Sequence, residues 1–389
     1  MLYYKSCIGN KKNTYLMVVF FIITIILFQG RLVAQPCTMY MVSTLNSPPS
    51  PTLPGFSGSI PTLIPTPVLR STETQTPIFN EYNDINEALL KSTSGEVICF
   101  RDGVYSPIRI ENIQGGIDNI TLKAETADQV KITHNNYSGT GVYIKNSKNI
   151  IISGFSLSGG LYGIYATGSS DLTLVDNTIY NIGQEGIIVK SGIATQPLTN
   201  FFIANNVISD TGNRVAQYGE GIYIGDGNDN YNEIITDIII QNNNISHTMN
   251  EAIDIKINTK NVVINSNTII NTNLKFNGVI TVATTDRYAE DSNITISHNN
   301  IIGVVNRSGY RAIGIAVGQG NASINNNLIV EQGKHFAGIC LFSTFVNTEA
   351  NTVTLDSNKV LTAGRDFIAN CGHGGAGANA LANVNEVNF

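Results

Sequence analysis

Apolar residues recur in a short pattern that appears eight times between residues 149 and 360. Each copy starts with a polar residue, continues through apolar positions, turns at its seventh position and resumes with an apolar residue. Such copies predict short strands around a fixed turn, and their recurrence predicts stacked structural repeats. The copies are NIIISGFSL (149–157), DLTLVDNTI (171–179), NFFIANNVI (200–208), DIIIQNNNI (237–245), NVVINSNTI (261–269), NITISHNNI (293–301), NASINNNLI (321–329) and TVTLDSNKV (352–360).

The seventh position is asparagine in every copy except the first. Successive spacings of 22, 29, 37, 24, 32, 28 and 31 residues indicate one coil of about 22 residues with loops inserted into the longer coils. Asparagine tolerates the left-handed backbone conformation needed at a sharp bend, and amides stacked about 4.8 Å apart can bond to one another. The positions are Phe155, Asn177, Asn206, Asn243, Asn267, Asn299, Asn327 and Asn358.

A second family of strands follows in the coils, each starting with glycine or alanine and then carrying apolar residues at every second position. We expect these apolar side chains to face the interior and the residues between them to face solvent. The members are GVYIKN (141–146), GIYATG (163–168), GIIVKS (186–191), GIYIGD (221–226), AIDIKI (252–257), GIAVGQ (314–319) and GICLFS (338–343).

A short helix is predicted before the repeats, because Ile85, Ala88 and Leu89 share one helical face. We interpret it as a cap, since bare coil edges would pair with other chains. From about Asp84 to Val387 the pattern resembles the pectin-lyase-like superfamily of right-handed parallel β-helices. The predicted fold is therefore all-β: a single-domain right-handed parallel β-helix over residues 80–389 with a short N-terminal capping helix.

The N-terminus carries a predicted targeting segment, residues 1–34. Lysines at positions 5, 11 and 12 precede an uncharged apolar run from Tyr15 to Phe28, which as a helix would span about 21 Å, short of the roughly 30 Å hydrocarbon core. This pattern is typical of a secretory signal peptide cleaved after Ala34, and the alternative is an uncleaved membrane anchor. Either interpretation predicts a secreted or cell-surface protein, with a membrane tether in the second case.

Residues 35–79 are predicted to be a linker, because eight of the eleven prolines fall between Pro48 and Pro77 among serines and threonines. Cys340 and Cys371 lie about one coil apart, so that a disulfide between them is one option. Charged residues make up only 13% of the chain, and the net charge of −6 argues against nucleic-acid binding. We expect a monomer.

Acidic residues form a column in front of three consecutive second strands, at Glu185, Glu220 and Glu251. Two charges about 5 Å apart repel by about 3 kcal/mol at an effective dielectric constant of about 20, so a stack needs a cation or must spread into water. Both alternatives are open, although the longest coil, from Asn206 to Asn243, carries Glu220 and its long loops favour a site. The outward columns beside the acidic one are Tyr143, Tyr165, Ile188, Tyr223 and Asp254, followed by Lys145, Thr167, Lys190, Gly225 and Lys256.

The segments GEGIYIG (219–225) and NEAID (250–254) resemble the calcium site of the family-9 pectate lyases. The resemblance implies Ca²⁺ as cofactor, with Glu220, Asn250, Glu251 and Asp254 as metal ligands. Two of the family's aspartates are glutamates here and one is Asn250. The stretch at 277–288, where that family carries its catalytic lysine, holds no lysine.

The reaction implied by this resemblance is β-elimination on an acidic, pectate-like polysaccharide. Such a reaction needs a neutral lysine as base, for which Lys256 is the first choice and Lys190 the second. Tyr165 and Tyr223 would stack on sugar rings, and Arg287 would bind a substrate carboxylate. Two alternatives stay open: a glycoside hydrolase using Glu220, Glu251 and Asp254 without metal, and a non-catalytic module for glycan binding or adhesion.

Overall fold

Three parallel sheets run along the chain, and each complete coil contributes one strand to each sheet. The computed structural model describes residues 35–43, 80–113, 119–192, 196–226, 234–256, 259–274, 277–282, 293–306, 312–318, 321–331, 336–341, 353–362, 366–370 and 384–387. Every pairing between neighbouring coils is parallel, for example Leu172 with Phe201 and Phe201 with Ile238. The predicted right-handed parallel β-helix is confirmed.

Strands are numbered here in chain order. Among the described residues, sheet 1 contains β1 (Met39–Met41), β2 (Asn80–Tyr82), β3 (Val97–Phe100), β6 (Ile120–Ala124), β9 (Lys148–Ser153), β12 (Ser170–Val175), β15 (Leu198–Ala204), β18 (Ile235–Gln241), β21 (Thr259–Asn265), β25 (Asn293–Ser297), β29 (Asn321–Asn325), β32 (Val353–Asp356) and β35 (Val384–Val387).

In the same described ranges, sheet 2 contains β4 (Gly103–Tyr105), β7 (Val130–Thr133), β10 (Ser156–Ser158), β13 (Thr178–Tyr180), β16 (Val207–Thr211), β19 (Asn244–Thr248), β22 (Thr268–Ile270), β26 (Asn300–Ile302), β30 (Leu328–Glu331) and β33 (Lys359–Thr362).

Sheet 3, over those ranges, contains β5 (Ile108–Glu111), β8 (Thr140–Lys145), β11 (Tyr162–Thr167), β14 (Ile187–Lys190), β17 (Ile222–Ile224), β20 (Ile253–Ile255), β24 (Ile280–Val282), β28 (Ala312–Val317), β31 (Phe336–Leu341) and β34 (Asp366–Asn370). A small two-stranded pair is formed by β23 (Asn273–Leu274) and β27 (Val305–Asn306), and one turn of 3₁₀ helix spans Ala216–Tyr218.

The interior is filled by the apolar residues of the repeats, which form one continuous buried cluster from Met39 to Leu355. Isoleucines such as Ile203, Ile240 and Ile264 stack in register from coil to coil and are fully or almost fully buried. The period-two pattern therefore identified the inward face correctly, because alternate side chains of a strand point to opposite sides of its sheet.

The asparagines of the seventh position lie inside the coil at the corner between sheets 1 and 2, where they are buried. Their amide side chains bond to one another from coil to coil, as predicted. The left-handed conformation, which we assigned to them, belongs instead to the residue just before each of them. The amide side chain has to point inward to reach its neighbours, so the preceding residue makes the bend. Those residues are Asp176, Asn205, Asn242, Ser266, His298, Asn326 and Ser357, all with φ between 52° and 58°, and Gly154 takes the same place before Phe155 with a φ of 83°.

The predicted capping helix is present as α1 (Ile85–Lys91), which packs against β1, β2 and β5 at the start of the β-helix. Asp84 caps its N-terminus by accepting a hydrogen bond from the Asn86 amide at 2.9 Å. Ala88 and Leu89 are buried on the predicted face.

The predicted linker began too early, because residues 39–41 form strand β1 between β2 and β3 of sheet 1. Met39 and Met41 are buried, and Cys37 forms a disulfide with Cys99 across 62 residues of sequence. A three-residue strand is too short for its periodicity to stand out, and nothing local in the sequence pairs two such distant cysteines. The remaining linker residues, the predicted targeting segment and Cys371 lie outside the described residues, so these predictions stay predictions.

Among the described residues, no helix has the length and apolar character needed to cross a membrane.

Candidate metal centre

Sheet 3 carries the predicted outward columns in the predicted register. Tyr165 pairs with Ile188, Ile188 with Tyr223, and Tyr223 with Asp254. The sequence alignment of the coils therefore placed these side chains on one face correctly.

Each glutamate of the acidic column is positioned by the small residue that follows it. The amide of Gly186 donates to the Glu220 carbonyl at 3.0 Å, and the amide of Gly221 donates to the Glu251 carbonyl at 3.1 Å. A Cβ at Gly221 would lie 2.6 Å from the Ala252 carbonyl oxygen. Glycine is therefore needed for the coils to approach closely enough to stack the glutamates.

The four acidic side chains of this face are buried. The exposed fraction is 5% for Glu185, 4% for Glu220, 2% for Glu251 and 0% for Asp254. We call these four residues the carboxylate cluster, and Glu220, Glu251 and Asp254 the carboxylate trio. One carboxylate oxygen from each member of the trio lies within 4.8 Å of the others. The alternative in which the acidic side chains spread into water is therefore wrong.

Two asparagines hold the glutamates of the trio. The Asn250 side-chain amide donates to Glu220 Oε1 at 2.9 Å and to the Gln217 carbonyl at 3.0 Å. The Asn277 amide donates to Glu251 Oε1 at 2.8 Å. Asn250, predicted as a metal ligand, thus turns its nitrogen towards Glu220. Asn277 escaped the sequence analysis, although its place just before Gly278 in the next coil was a usable signal.

Four buried oxygens of the cluster have neither a hydrogen bond nor an ion pair among the described residues. They are Glu185 Oε2, Glu220 Oε2, Glu251 Oε2 and Asp254 Oδ1. Buried polar atoms normally find partners, and leaving one unpaired costs about 1–3 kcal/mol. The donor set, which is made only of oxygens, fits a hard cation such as Ca²⁺.

Burial raises the pKa of every carboxyl in the cluster, because it removes water from the charged form. It raises the pKa of Glu185 to about 7, and, together with the Asp254 charge, that of Glu251 to about 8. The pKa of Glu220 is raised by burial and by the charges of Glu251 and Asp254, and the pKa of Asp254 is raised by burial.

Lys256 forms an ion pair with Asp254 Oδ2. Burial alone lowers the pKa of Lys256, but the neighbouring Asp254 and Glu251 charges outweigh it and hold this pKa above its ordinary value. A base needs a lowered lysine pKa, so the direction found here is opposite to the one that our first-choice base requires. The ammonium groups of Lys256 and Lys190 lie 5.0 Å and 5.4 Å from the ring centroid of Tyr223, which is itself buried.

A strip of aromatic side chains continues along sheet 3 on the N-terminal side of the cluster. The Tyr143 and Tyr165 ring centroids are 5.6 Å apart, and Tyr162, which the sequence analysis missed, lies 5.3 Å from Tyr165. Arg109 covers the Tyr143 ring at 4.6 Å. All four side chains are at least partly exposed. Arg287 lies outside the described residues.

Comparison with known proteins supports the fold. A family model described as "Right handed beta helix region" matches residues 115–289. No curated protein sequence matches the chain. The solved alginate lyase from Paenibacillus sp. str. FPU-7 is similar with a TM-score of 0.55 and 19% identity, over 72% of this chain and 93% of that one. A PL6 family polysaccharide lyase from Pseudopedobacter saltans has a TM-score of 0.40 and 18% identity, over 76% and 79% of the two chains. The likeness to the alginate lyase, at 19% identity, concerns the fold alone.

Proposed function

We propose that this protein is a secreted or cell-surface enzyme that cleaves an acidic polysaccharide by β-elimination, with Ca²⁺ held by the carboxylate trio. The observation that carries the proposal is the burial of Glu220, Glu251 and Asp254 with oxygens within 4.8 Å of one another and one free oxygen each. When ionised, three buried carboxylates facing one lysine carry an excess of negative charge, which a bound cation would balance.

The surroundings of the trio suit a polymer of uronic acids. The tyrosine strip offers ring faces for sugars beside the centre, and Tyr165 is our proposed substrate-binding residue there. Tyr223, the other candidate from sequence, is buried beside the two lysines and has no ring face open to a sugar. The fold likeness to a solved alginate lyase is compatible with such a substrate. When bound, Ca²⁺ would polarise the substrate carboxylate and so acidify the proton next to it.

We propose different roles for Lys256 and Lys190. Because Lys256 forms an ion pair with Asp254, we propose that it holds that carboxylate in place. Lys190 lies on the other neighbouring coil at the same Tyr223 ring and forms no ion pair with a carboxylate among the described residues. We therefore propose Lys190, our second choice from sequence, as the group that removes the proton. Asn250 serves as a support for Glu220.

The test is an absorbance assay for the unsaturated sugar that β-elimination leaves, with polyuronates as substrates and with added Ca²⁺ or a chelator. We expect activity only with Ca²⁺. Asp254→Asn should abolish it, and Lys190→Ala should lower it at least about 100-fold, the usual scale of a lost acid–base group. Asp176→Asn and Lys148→Ala are matched controls, because both residues are exposed and lie away from sheet 3.

A second function has one observation in its favour. The pKa of Glu185 near 7 suits a general acid, and a glycoside hydrolase pairs such an acid with a second carboxylate. New reducing ends without the ultraviolet signal, insensitive to chelator, would support hydrolysis and contradict our proposal. Polysaccharide binding without any turnover would support a glycan-binding module instead.

A further inference from the structure

A column of buried side chains lies at the end of the sheet 2 strands. It changes from an apolar residue to threonines near the carboxylate trio and then returns to an apolar residue. Thr211 pairs with Thr248, and Thr272 follows in the same register, two residues beyond the pair of Ser246 with Ile270. The same position is Ile182 in the coil before and Val304 in the coil after. All five side chains are buried, and the exposed fraction is 2% or less. The fold thus accepts an apolar residue here, and of these five coils the three in the middle carry a hydroxyl.

Two of the three hydroxyls make matching hydrogen bonds. Thr211 Oγ1 donates to the Gly219 carbonyl at 2.6 Å, and Thr248 Oγ1 donates to the Asn250 carbonyl at 2.8 Å. Each bond therefore fixes the peptide group that leads directly into a glutamate of the trio, Glu220 in one coil and Glu251 in the next.

The third hydroxyl behaves differently. Thr272 Oγ1 is buried and has no hydrogen-bond partner among the described residues. Its coil has Gly278, with no carboxylate, at the place that corresponds to Glu251, since Ile253 pairs with Ile280. The hydroxyl bond is formed in the two coils that supply a glutamate to the trio and is not formed in the third.

The segments that Thr211 and Thr248 hold, the loop 212–219 and Asn250, both lie beside Glu220. Residues 212–219 form a loop whose ends approach closely, since a Cβ at Gly212 would lie 2.8 Å from the Gly219 Cα. Asn250, whose carbonyl accepts from Thr248, donates to Glu220 and to Gln217 inside that loop. A hydroxyl that closes the neck of the loop and another that holds Asn250 therefore both restrict where Glu220 can place its oxygens.

We infer that Thr211 and Thr248 are positioning residues, which fix Glu220 and Glu251 in the geometry that binds a divalent cation. The inference rests on the cation centre proposed above. Fixed ligands lose little conformational freedom on binding, so the hydroxyls contribute to cation affinity without touching the ion.

The test compares three isosteric variants of the full chain: Thr211→Val, Thr248→Val and the matched control Thr272→Val. Binding of Ca²⁺ alone is measured by titration calorimetry at pH 8. We expect Thr211→Val and Thr248→Val each to weaken binding about five- to tenfold, the scale of one lost buried hydrogen bond. Thr272→Val should bind like the wild type, because the Thr272 hydroxyl makes no hydrogen bond to any residue that the structure describes. Thr211→Ser and Thr248→Ser should restore binding, since serine keeps the donor.

Amide hydrogen exchange without Ca²⁺ gives a second measurement that does not depend on the ion. The segment 212–221 should exchange faster in Thr211→Val and keep its wild-type rate in Thr272→Val. If the wild type binds Ca²⁺ and the first two variants bind it equally well, the positioning role is wrong and the cation centre stands. If the wild type binds no Ca²⁺, the cation centre fails and the positioning role with it, and the exchange rates then report only a structural clamp.

Discussion

Two groups of buried polar side chains run along the same β-helix, the asparagine ladder (Asn177, Asn206, Asn243, Asn267, Asn299, Asn327 and Asn358) at the corner of sheets 1 and 2 and the carboxylate cluster on sheet 3. Both are stacked from coil to coil and both are almost completely shielded from water. They differ in how their hydrogen bonds are satisfied, and this difference separates a structural feature from a candidate site.

The ladder is complete. Asn243 Oδ1 accepts from the Asn206 backbone amide and side chain at 2.9 and 3.0 Å, while its own amide donates to the Ile203 carbonyl and to Asn267, both at 3.0 Å. No ladder asparagine has an unpaired buried atom. A satisfied polar network fixes one register of the coils and needs no ligand.

The carboxylate cluster is incomplete, with four buried oxygens lacking a partner among the described residues and every pKa raised. Because such an arrangement costs stability, a fold would retain it only if something outside the chain completes it or if function needs it. The following experiments test this contrast.

The largest effect should come from pH. The pKa of Glu185 is about 7 and that of Glu251 about 8, against 4.5 for an ordinary glutamate. The folded protein therefore holds these protons more tightly than the unfolded chain. Their contribution to stability is complete below about pH 4.5 and is lost as the pH rises through 7 and 8. Without cation we expect a loss on the order of 8 kcal/mol in the free energy of unfolding across this pH range, because each pKa unit corresponds to about 1.4 kcal/mol, and urea denaturation measures it.

Two changes should remove most of this pH dependence. Glu251→Gln keeps an acceptor for Asn277 but has no charge to bury, so it should be more stable than the wild type at pH 8 without cation. Saturating Ca²⁺ should stabilise the wild type at pH 8 and leave Glu251→Gln almost unaffected. If the wild type without cation is equally stable at pH 5 and pH 8, the burial of the carboxylate cluster has no cost, and the proposed difference from the asparagine ladder is wrong.

Breaking the asparagine ladder should have the next largest effect. It should destabilise the protein, whereas Glu251→Gln should stabilise it. Asn243→Ala removes the acceptor of Asn206 and both donors of Asn243, so it should destabilise the protein by about 2–3 kcal/mol. The loss should be equal at pH 5 and pH 8, because no charge is involved. A loss that depends on pH or on Ca²⁺ would show that the ladder and the cluster are coupled.

The smallest effect is expected just outside the ladder. Asn205 is exposed, has a φ of 57° and donates to Asp176 at 3.2 Å. Asn205→Gly removes this surface bond and keeps a residue that accepts the left-handed conformation. Thermal denaturation should show a change within about 0.5 kcal/mol. A loss as large as that of Asn243→Ala would mean that exposed corner contacts stabilise the coil as much as buried ones.

The sequence predicted the position of the candidate site more accurately than the contacts of the residues within it. The pairing of Glu220 with Glu251 and of Tyr223 with Asp254 followed from the repeat alone, since a one-residue shift would turn the strand over. The role of Lys256 did not follow, because its partner depends on where the Asp254 side chain points. Thr211 and Thr248 carried no sequence signal, since a threonine in a strand is ordinary until its hydroxyl is seen to meet a particular carbonyl.

The sequence by itself determined the β-helix, the inward and outward faces of its strands, the capping helix and the stacking of the acidic residues. All of these follow from periodicity, which a chain expresses locally and repeats in every coil. Only the tertiary structure decided that the stacked carboxylates are buried, that β1 and the Cys37–Cys99 disulfide belong to the domain, and that two threonines donate to the carbonyls just before Glu220 and Glu251. Burial and side-chain pairing depend on segments far apart in the chain, and no periodic pattern records which of them meet.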